Sequence, residues 1–152
     1  MSVKSLTAYI PIDRRLALSS SRELPVSCTG TVLFADISGF TLFASSLTAQ
    51  LGVQRGADEI TRYLNLVYGT VISQIYLYRG SVISFAGDAI TCWFDEDKGE
   101  RALAAGSAIL RVMTEITKKN NLTLQIKIVI NQGQAKRFTV GDPDIQIMDL
   151  LV

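Results

Sequence analysis

The 152-residue chain contains no histidine. That absence excludes imidazole general bases, histidine-dependent triads and zinc sites built on histidine ligands. There are two cysteines, Cys28 and Cys92. They form no disulfide framework and match no zinc spacing, so a reducing, cytoplasmic setting is expected. Neither sign of charge dominates: 15 basic and 14 acidic residues leave a net charge of +1. With no basic stripe on any expected helix, no nucleic-acid partner is expected. No apolar run approaches the roughly 18 residues of a membrane helix, so no membrane span is expected. The first 20 residues lack the continuous apolar centre of a signal peptide. The chain shows no internal repeat and no low-complexity tract.

Hydrophobic residues make up 48% of the chain and charged residues 19%, enough apolar material for the core of one folded domain. Residues 1–29, punctuated by Pro11, the Ser19–Ser21 run and Pro25, read as an N-terminal lead-in that packs on the domain, with Leu16 and Leu18 on a short helix. Residues 30–152 read as the domain itself. Its first stretch, 30–37, is a short β-prone run expected as a buried central strand, followed by a helix from Phe40 to Leu47. Residues 56–79 carry a helical stripe of Ile60, Leu64, Val67, Val71 and Ile75. Runs 81–86 and 89–94 flank Gly87-Asp88, where glycine at the first central position suits a type II′ hairpin. Residues 97–119 form a second amphipathic helix through Ala102, Ala105, Ile109, Val112 and Ile116. Strands are expected at 122–131, at 134–140 and at 145–152. This order predicts an α+β, ferredoxin-like sandwich: a mostly antiparallel sheet with helices packed on it.

Two aspartates interrupt apolar sequence. Asp36 ends the first strand and Asp88 sits at the hairpin tip. A carboxylate at the end of a central strand needs a partner. Taken singly, Asp36 either caps the following helix or binds a ligand, with Ser38 as the other candidate cap, and Asp88 is either a turn residue or a ligand. If their strands are neighbours, the pair shares one sheet edge, and two carboxylates plus phosphates and waters are a common way to hold Mg²⁺. Ser38, Gly39, Phe40 and Thr41 make a small turn before a helix, where backbone N–H groups either cradle phosphate or serve a plain loop. Lys127, mid-strand, either faces solvent or contacts a triphosphate.

Phe34-Ala35-Asp36-Ile37-Ser38-Gly39-Phe40-Thr41 resembles the first metal-binding motif of class III nucleotide cyclases, and Phe85-Ala86-Gly87-Asp88-Ala89 resembles the second. Arg55-Gly56-Ala57-Asp58-Glu59, leading the helix between them, is similar to the family as well. The likeness is nearest to the bicarbonate-responsive soluble adenylyl cyclases and their bacterial relatives, and runs from about Thr31 onward. It implies an adenylate cyclase of intracellular signalling, converting ATP to 3′,5′-cyclic AMP and pyrophosphate by two-metal catalysis. It further implies that Asp36, Asp88 and the Ile37 carbonyl bind two Mg²⁺ or Mn²⁺ ions, that Ile37 to Thr41 hold phosphates, and that Lys127 binds the triphosphate. Ser84 replaces a lysine that reads adenine in many relatives, which leaves a guanylyl cyclase as an alternative. The family's site is completed by a second cyclase domain, so a homodimer is implied. Its transition-state asparagine and arginine come from a helix with no counterpart before Val152. The chain is therefore expected to be incomplete at its C-terminus, with inactivity of this chain alone among the expected outcomes. Asn131 and Arg137 take neither role. A catalytically inactive nucleotide-binding or dimerisation module is the other reading. A diguanylate cyclase relative is disfavoured, because the hairpin lacks a Gly-Gly-(Asp/Glu)-Glu-Phe run.

Overall fold

The computed structural model describes residues 11–140 and 147–151. The order is α1 (Ile12–Ser19), β1 (Ser27–Ser38), α2 (Phe40–Leu51), α3 (Val53–Leu77), β2 (Ser81–Ala86), β3 (Ala89–Asp95), α4 (Glu100–Asn120), β4 (Gln125–Val140) and β5 (Ile147–Leu151). The sheet order is β2-β3-β1-β4-β5, and each neighbouring pair is antiparallel. In chain order the first four strands and their helices run βαββαβ, with β1 between β3 and β4. This is the expected ferredoxin-like α+β plan.

One face of the sheet carries the helices. Leu33, Ala35 and Ile37 of β1 pack there with Ile90, Cys92 and Phe94 of β3. The α3 stripe closes over them through Val67, Val71 and Ile75, all fully buried. Ala102, Ala105, Ile109 and Met113 do the same from α4. The period-2 alternation of the strands meets the 3.6-residue period of the helices along this seam. The small alanines of α4 leave room for the larger side chains opposite.

On the other sheet face α1 meets the far end, where the Asp13 N–H donates to Ser81 Oγ at 2.9 Å and its carboxylate accepts from Arg137; toward the Asp36 end that face carries no described helix. Cys28, Trp93 and Ala135 form a small cluster there, with Val32 and Ile83 against it. Toward the other end of β1, Phe34 and Val129 are register partners and remain 39% and 61% exposed.

Several expected boundaries need correction. The expected strands at 122–131 and 134–140 are one strand, β4, because β1 extends back to Ser27 and pairs with β4 without a break from Ser27↔Lys136 to Ser38↔Gln125. The first strand therefore starts inside the expected lead-in, and α3 starts at Val53 rather than at 56. Leu16 and Leu18 lie on a short lead-in helix, as expected; its buried residue is Ala17, and the two leucines are 58% and 70% exposed. Of the strand expected at 145–152, residues 147–151 form β5; positions 145, 146 and 152 lie outside the described residues, as do residues 1–10 of the lead-in.

Candidate functional site

The hairpin forms as its turn chemistry predicts. Gly87 takes φ of 60°, and Asp88 is not among the positive-φ residues, the backbone signature of a type II′ turn. Beyond the turn, Ala89 pairs with Asp36, so the tip of the hairpin lies beside the end of β1. The Ile37 N–H donates to the Asp88 carbonyl at 3.2 Å. In an extended strand a residue's N–H and C=O leave by the same edge, so the Ile37 carbonyl also faces the turn. Asp36 is half-buried and Asp88 is exposed.

Tyr68, from α3, reports on both carboxylates. Burial raises the pKa of its phenol, and the negative charges of Asp88 and Asp36 raise it further. Both aspartates thus lie within electrostatic reach of one hydroxyl. The α2 helix starts with Gly39 in the left-handed region at φ of 94°, and no side chain caps it. Neither Asp36 nor Ser38 is a helix cap, so the capping alternative for both is removed. Among the described residues, no hydrogen bond or ion pair to another side chain engages either carboxylate.

Because α2 has no side-chain cap, its first-turn N–H groups stay open beside Asp36. The first helical bond runs from the Phe43 N–H to the Gly39 carbonyl at 3.1 Å. A helix start with open donors and a positive dipole end favours an anion. Gly39 is required there twice over: its φ is one that side chains rarely adopt, and an added Cβ would sit 3.0 Å from the Thr123 carbonyl oxygen. Phe40 anchors the turn in the core, edge-on to Phe43 with ring centres 5.7 Å apart.

Lys127 is directly opposite Asp36 across β1 and β4 and is exposed. Cross-strand partners share a sheet face, so the ammonium and the carboxylate belong to the helix-free side. One pleat along, Ser84 pairs with Thr91, Thr91 with Phe34, and Phe34 with Val129. Ser84 is exposed on the edge strand, just after a break in register between Val82 and Ser84. The sequence-derived residues Asp36, Ile37, Ser38, Gly39, Phe40, Thr41, Asp88 and Lys127 therefore gather at one end of the sheet, with Ser84 one row away.

Two features escape a reading of the sequence. Tyr68 is one position off the α3 stripe and has no motif of its own. Arg137 is the other: it is 3% exposed and lies at the far end of the sheet. Its guanidinium donates to Asp95 at 3.1 Å, to Asp13 at 3.3 Å and to the Pro25 carbonyl at 3.1 Å. Trp93 Nε1 donates to the same Asp95 carboxylate at 3.0 Å. Arg137 thus ties the lead-in to the sheet, consistent with its having no role at the carboxylate pair. Its only sequence signal is a charge within a β-prone run.

A hard divalent cation fits the donor types at this end: two carboxylates on adjoining segments without side-chain partners and a carbonyl edge, all oxygen. No cluster of three or more His, Cys, Asp or Glu side chains occurs among the described residues, so any further ligands come from phosphates and water.

No family model matches the chain. Mouse adenylate cyclase type 10 is 25% identical over 151 residues, a match spanning 93% of this chain and 9% of that relative. The chain thus spans under a tenth of the curated relatives it matches. A bacterial light-regulated adenylyl cyclase superposes with a TM-score of 0.74 at 18% identity, covering 98% of this chain and 44% of that one. The guanylyl cyclase Cya2 superposes with a TM-score of 0.64 at 22% identity, covering 83% and 64% respectively. The chain therefore has the fold of these class III nucleotide cyclase catalytic domains and is similar in sequence to adenylate cyclase type 10.

Proposed function

We propose that this domain is the metal- and phosphate-binding half of a nucleotide cyclase site, acting on a nucleoside triphosphate, with ATP the favoured substrate. The placement of the Asp88 turn against the Asp36–Ile37 end of β1, beside the uncapped start of α2, carries the reading. Asp36, Asp88 and the Ile37 carbonyl would hold two Mg²⁺ or Mn²⁺ ions. When bound, such ions acidify the ribose 3′-hydroxyl and neutralise charge on the phosphates. The N–H groups of the Ser38–Thr41 turn would take phosphate oxygens, and Lys127 would bring a compact positive charge to the triphosphate. In the reaction the O3′–Pα bond forms as the bridge from Pα to Pβ breaks. Pyrophosphate leaves, and the 3′ proton passes to solvent, a route that needs no histidine.

Ser84 and its register partner Thr91 place two hydroxyls on the edge of the helix-free face. A hydroxyl both donates and accepts, so this pair discriminates bases less than a lysine does. That supports a guanylyl cyclase as the second reading. A second copy of the domain would complete the site from the helix-free face, where Phe34 and Val129 are exposed beside the Asp36–Lys127 row. Two unpaired cysteines, both buried, suit a cytoplasmic setting, and no helix among the described residues is long and apolar enough to cross a membrane.

Calorimetric titration with a non-cyclising ATP analogue in Mn²⁺, and then with the GTP analogue, tests the proposal. Mn²⁺-dependent binding is expected, and Asp36→Asn or Asp88→Asn should weaken it at least about tenfold, with circular dichroism unchanged. Unaltered binding in either variant would remove the carboxylate pair from the site. The ratio of ATP to GTP affinity decides the base.

A further inference from the structure

The hairpin tip that carries Asp88 has few restraints. β2 is an edge strand, and its register shifts between Val82 and Ser84. Beyond that shift, three pairs join it to β3: Ser84↔Thr91, Phe85↔Ile90 and Ala86↔Ala89. Ser84, Phe85, Ala86, Gly87 and Asp88 are all exposed, and an added Cβ at Gly87 would meet nothing within 4 Å. An isolated tip of this kind frays readily. Besides its pairing with β3, one backbone hydrogen bond and one ring contact among the described residues connect it to the body of the domain. One is the Ile37 N–H donating to the Asp88 carbonyl at 3.2 Å. The other is aromatic: the Tyr68 and Phe85 rings meet edge to face, with centres 6.1 Å apart and planes at 62°.

Tyr68 is held at its own end by α3, half-buried against the main core between the fully buried Val67 and Val71. Phe85, by contrast, is 57% exposed and three residues from Asp88. The tyrosine is therefore the fixed member of the pair and the phenylalanine the guided one. Edge-to-face pairs restrict ring position beyond what area burial alone does. Sites that must hold a ligand group within a fraction of an ångström need such support.

We infer that Tyr68 is a positioning residue, whose ring braces Phe85 and thereby holds the Asp88 turn against β1 at the distance its carboxylate needs to act with Asp36. The brace itself is a property of the fold; its consequence for metal binding rests on the function proposed above.

The Ile37 amide reports directly on the brace, because its acceptor is the Asp88 carbonyl. Hydrogen exchange is measured by NMR on the chain and on Tyr68→Ala, Tyr68→Phe, Phe85→Ala and the Tyr68→Ala/Phe85→Ala double variant, alongside Mn²⁺ titration of each. The expected result is Ile37 exchange at least about fivefold faster in both alanine variants. The double variant should be no faster than the faster single one. Tyr68→Phe, which keeps the ring, should stay near wild type, and the Leu33 amide in mid-strand should stay slow throughout. Because Phe85 is largely exposed, its truncation leaves a folded protein even if Tyr68→Ala does not. Mn²⁺ affinity should fall in step with the Ile37 rate. Unchanged Ile37 exchange in Phe85→Ala would overturn the brace, and faster exchange with unchanged Mn²⁺ affinity would overturn its positioning role. If the unmodified chain binds no Mn²⁺ while Ile37 still responds, the metal reading of the proposed function fails and the positioning role falls with it, leaving a purely structural brace.

Discussion

Arg137 and Asp97 show what buried charges do in this domain. Burial works against the charge of Arg137, yet Asp95 and Asp13 outweigh it and hold its pKa above the usual guanidinium value. Replacing it by methionine keeps the volume and strands two carboxylates in a partly dry site. Arg137→Met should cost about 3–5 kcal/mol in urea unfolding, the usual penalty for breaking a buried pair from one side. Asp97 works differently. Burial pushes its pKa up, but the N–H groups of Arg101 and Ala102 and the Arg101 charge pull harder, so its carboxyl titrates below the usual aspartate range. A depressed folded pKa gives stability that is complete above the unfolded value near 4 and is lost as pH falls through the folded value. Unfolding midpoints measured from pH 7 down to pH 2 should therefore fall more steeply in the unmodified chain than in Asp97→Asn. The variant should start lower at pH 7, because an amide accepts fewer of the bonds that open α4. Neither role is visible in composition. Arg137 looks like an ordinary surface charge until the sheet order brings Asp95 and Asp13 to it, whereas the partners of the Asp97 carboxylate lie within five residues along the chain.

At the scale of elements, the helices were readable because their apolar stripes repeat at the helical period. Ile60 through Ile75 turn toward the core, as do Ala102, Ala105, Ile109 and Ile116, with Met113 taking the core position expected for Val112. The hairpin was readable because Gly87-Asp88 carries its own turn chemistry. The start of α2 was not, since sequence offered Asp36 or Ser38 as a cap and the helix uses neither. There Gly39 matters most, through its φ of 94° and the close Thr123 carbonyl. Gly39→Ala should destabilise the domain by about 1–3 kcal/mol, read by thermal or urea unfolding. It should also weaken nucleotide-analogue binding beyond what the stability loss explains, because the open N–H groups would turn away from the carboxylates. Loss of stability with full binding would separate that turn from the phosphate role proposed for it.

For the whole molecule, the distribution of its faces is the governing fact. Helices α3 and α4 cover one side of the sheet; the other meets α1 only at its far end and presents the Asp36–Lys127 row and, next to it, Phe34 and Val129. Apolar residues exposed beside a proposed site fit a surface that another domain covers. Sedimentation velocity should detect self-association promoted by Mn²⁺ and the ATP analogue. Val129→Asp should abolish it while shifting the melting temperature by only a few degrees, since this side chain is 61% exposed. Self-association unaffected by that change would move the contact to another face.

Sequence by itself determined the α+β plan, the apolar stripes, the hairpin and the two aspartates that stand out of apolar runs. All of these depend on short-range periodicity or turn chemistry within one segment. Tertiary structure alone decided that β4 is one continuous strand, because the length of β1 opposite it sets how far pairing runs. It also decided that Arg137 is buried between the lead-in and β3, and that Tyr68 stands behind the hairpin. Those outcomes depend on which strands become neighbours and in what register, and register is fixed by packing among segments far apart in the chain.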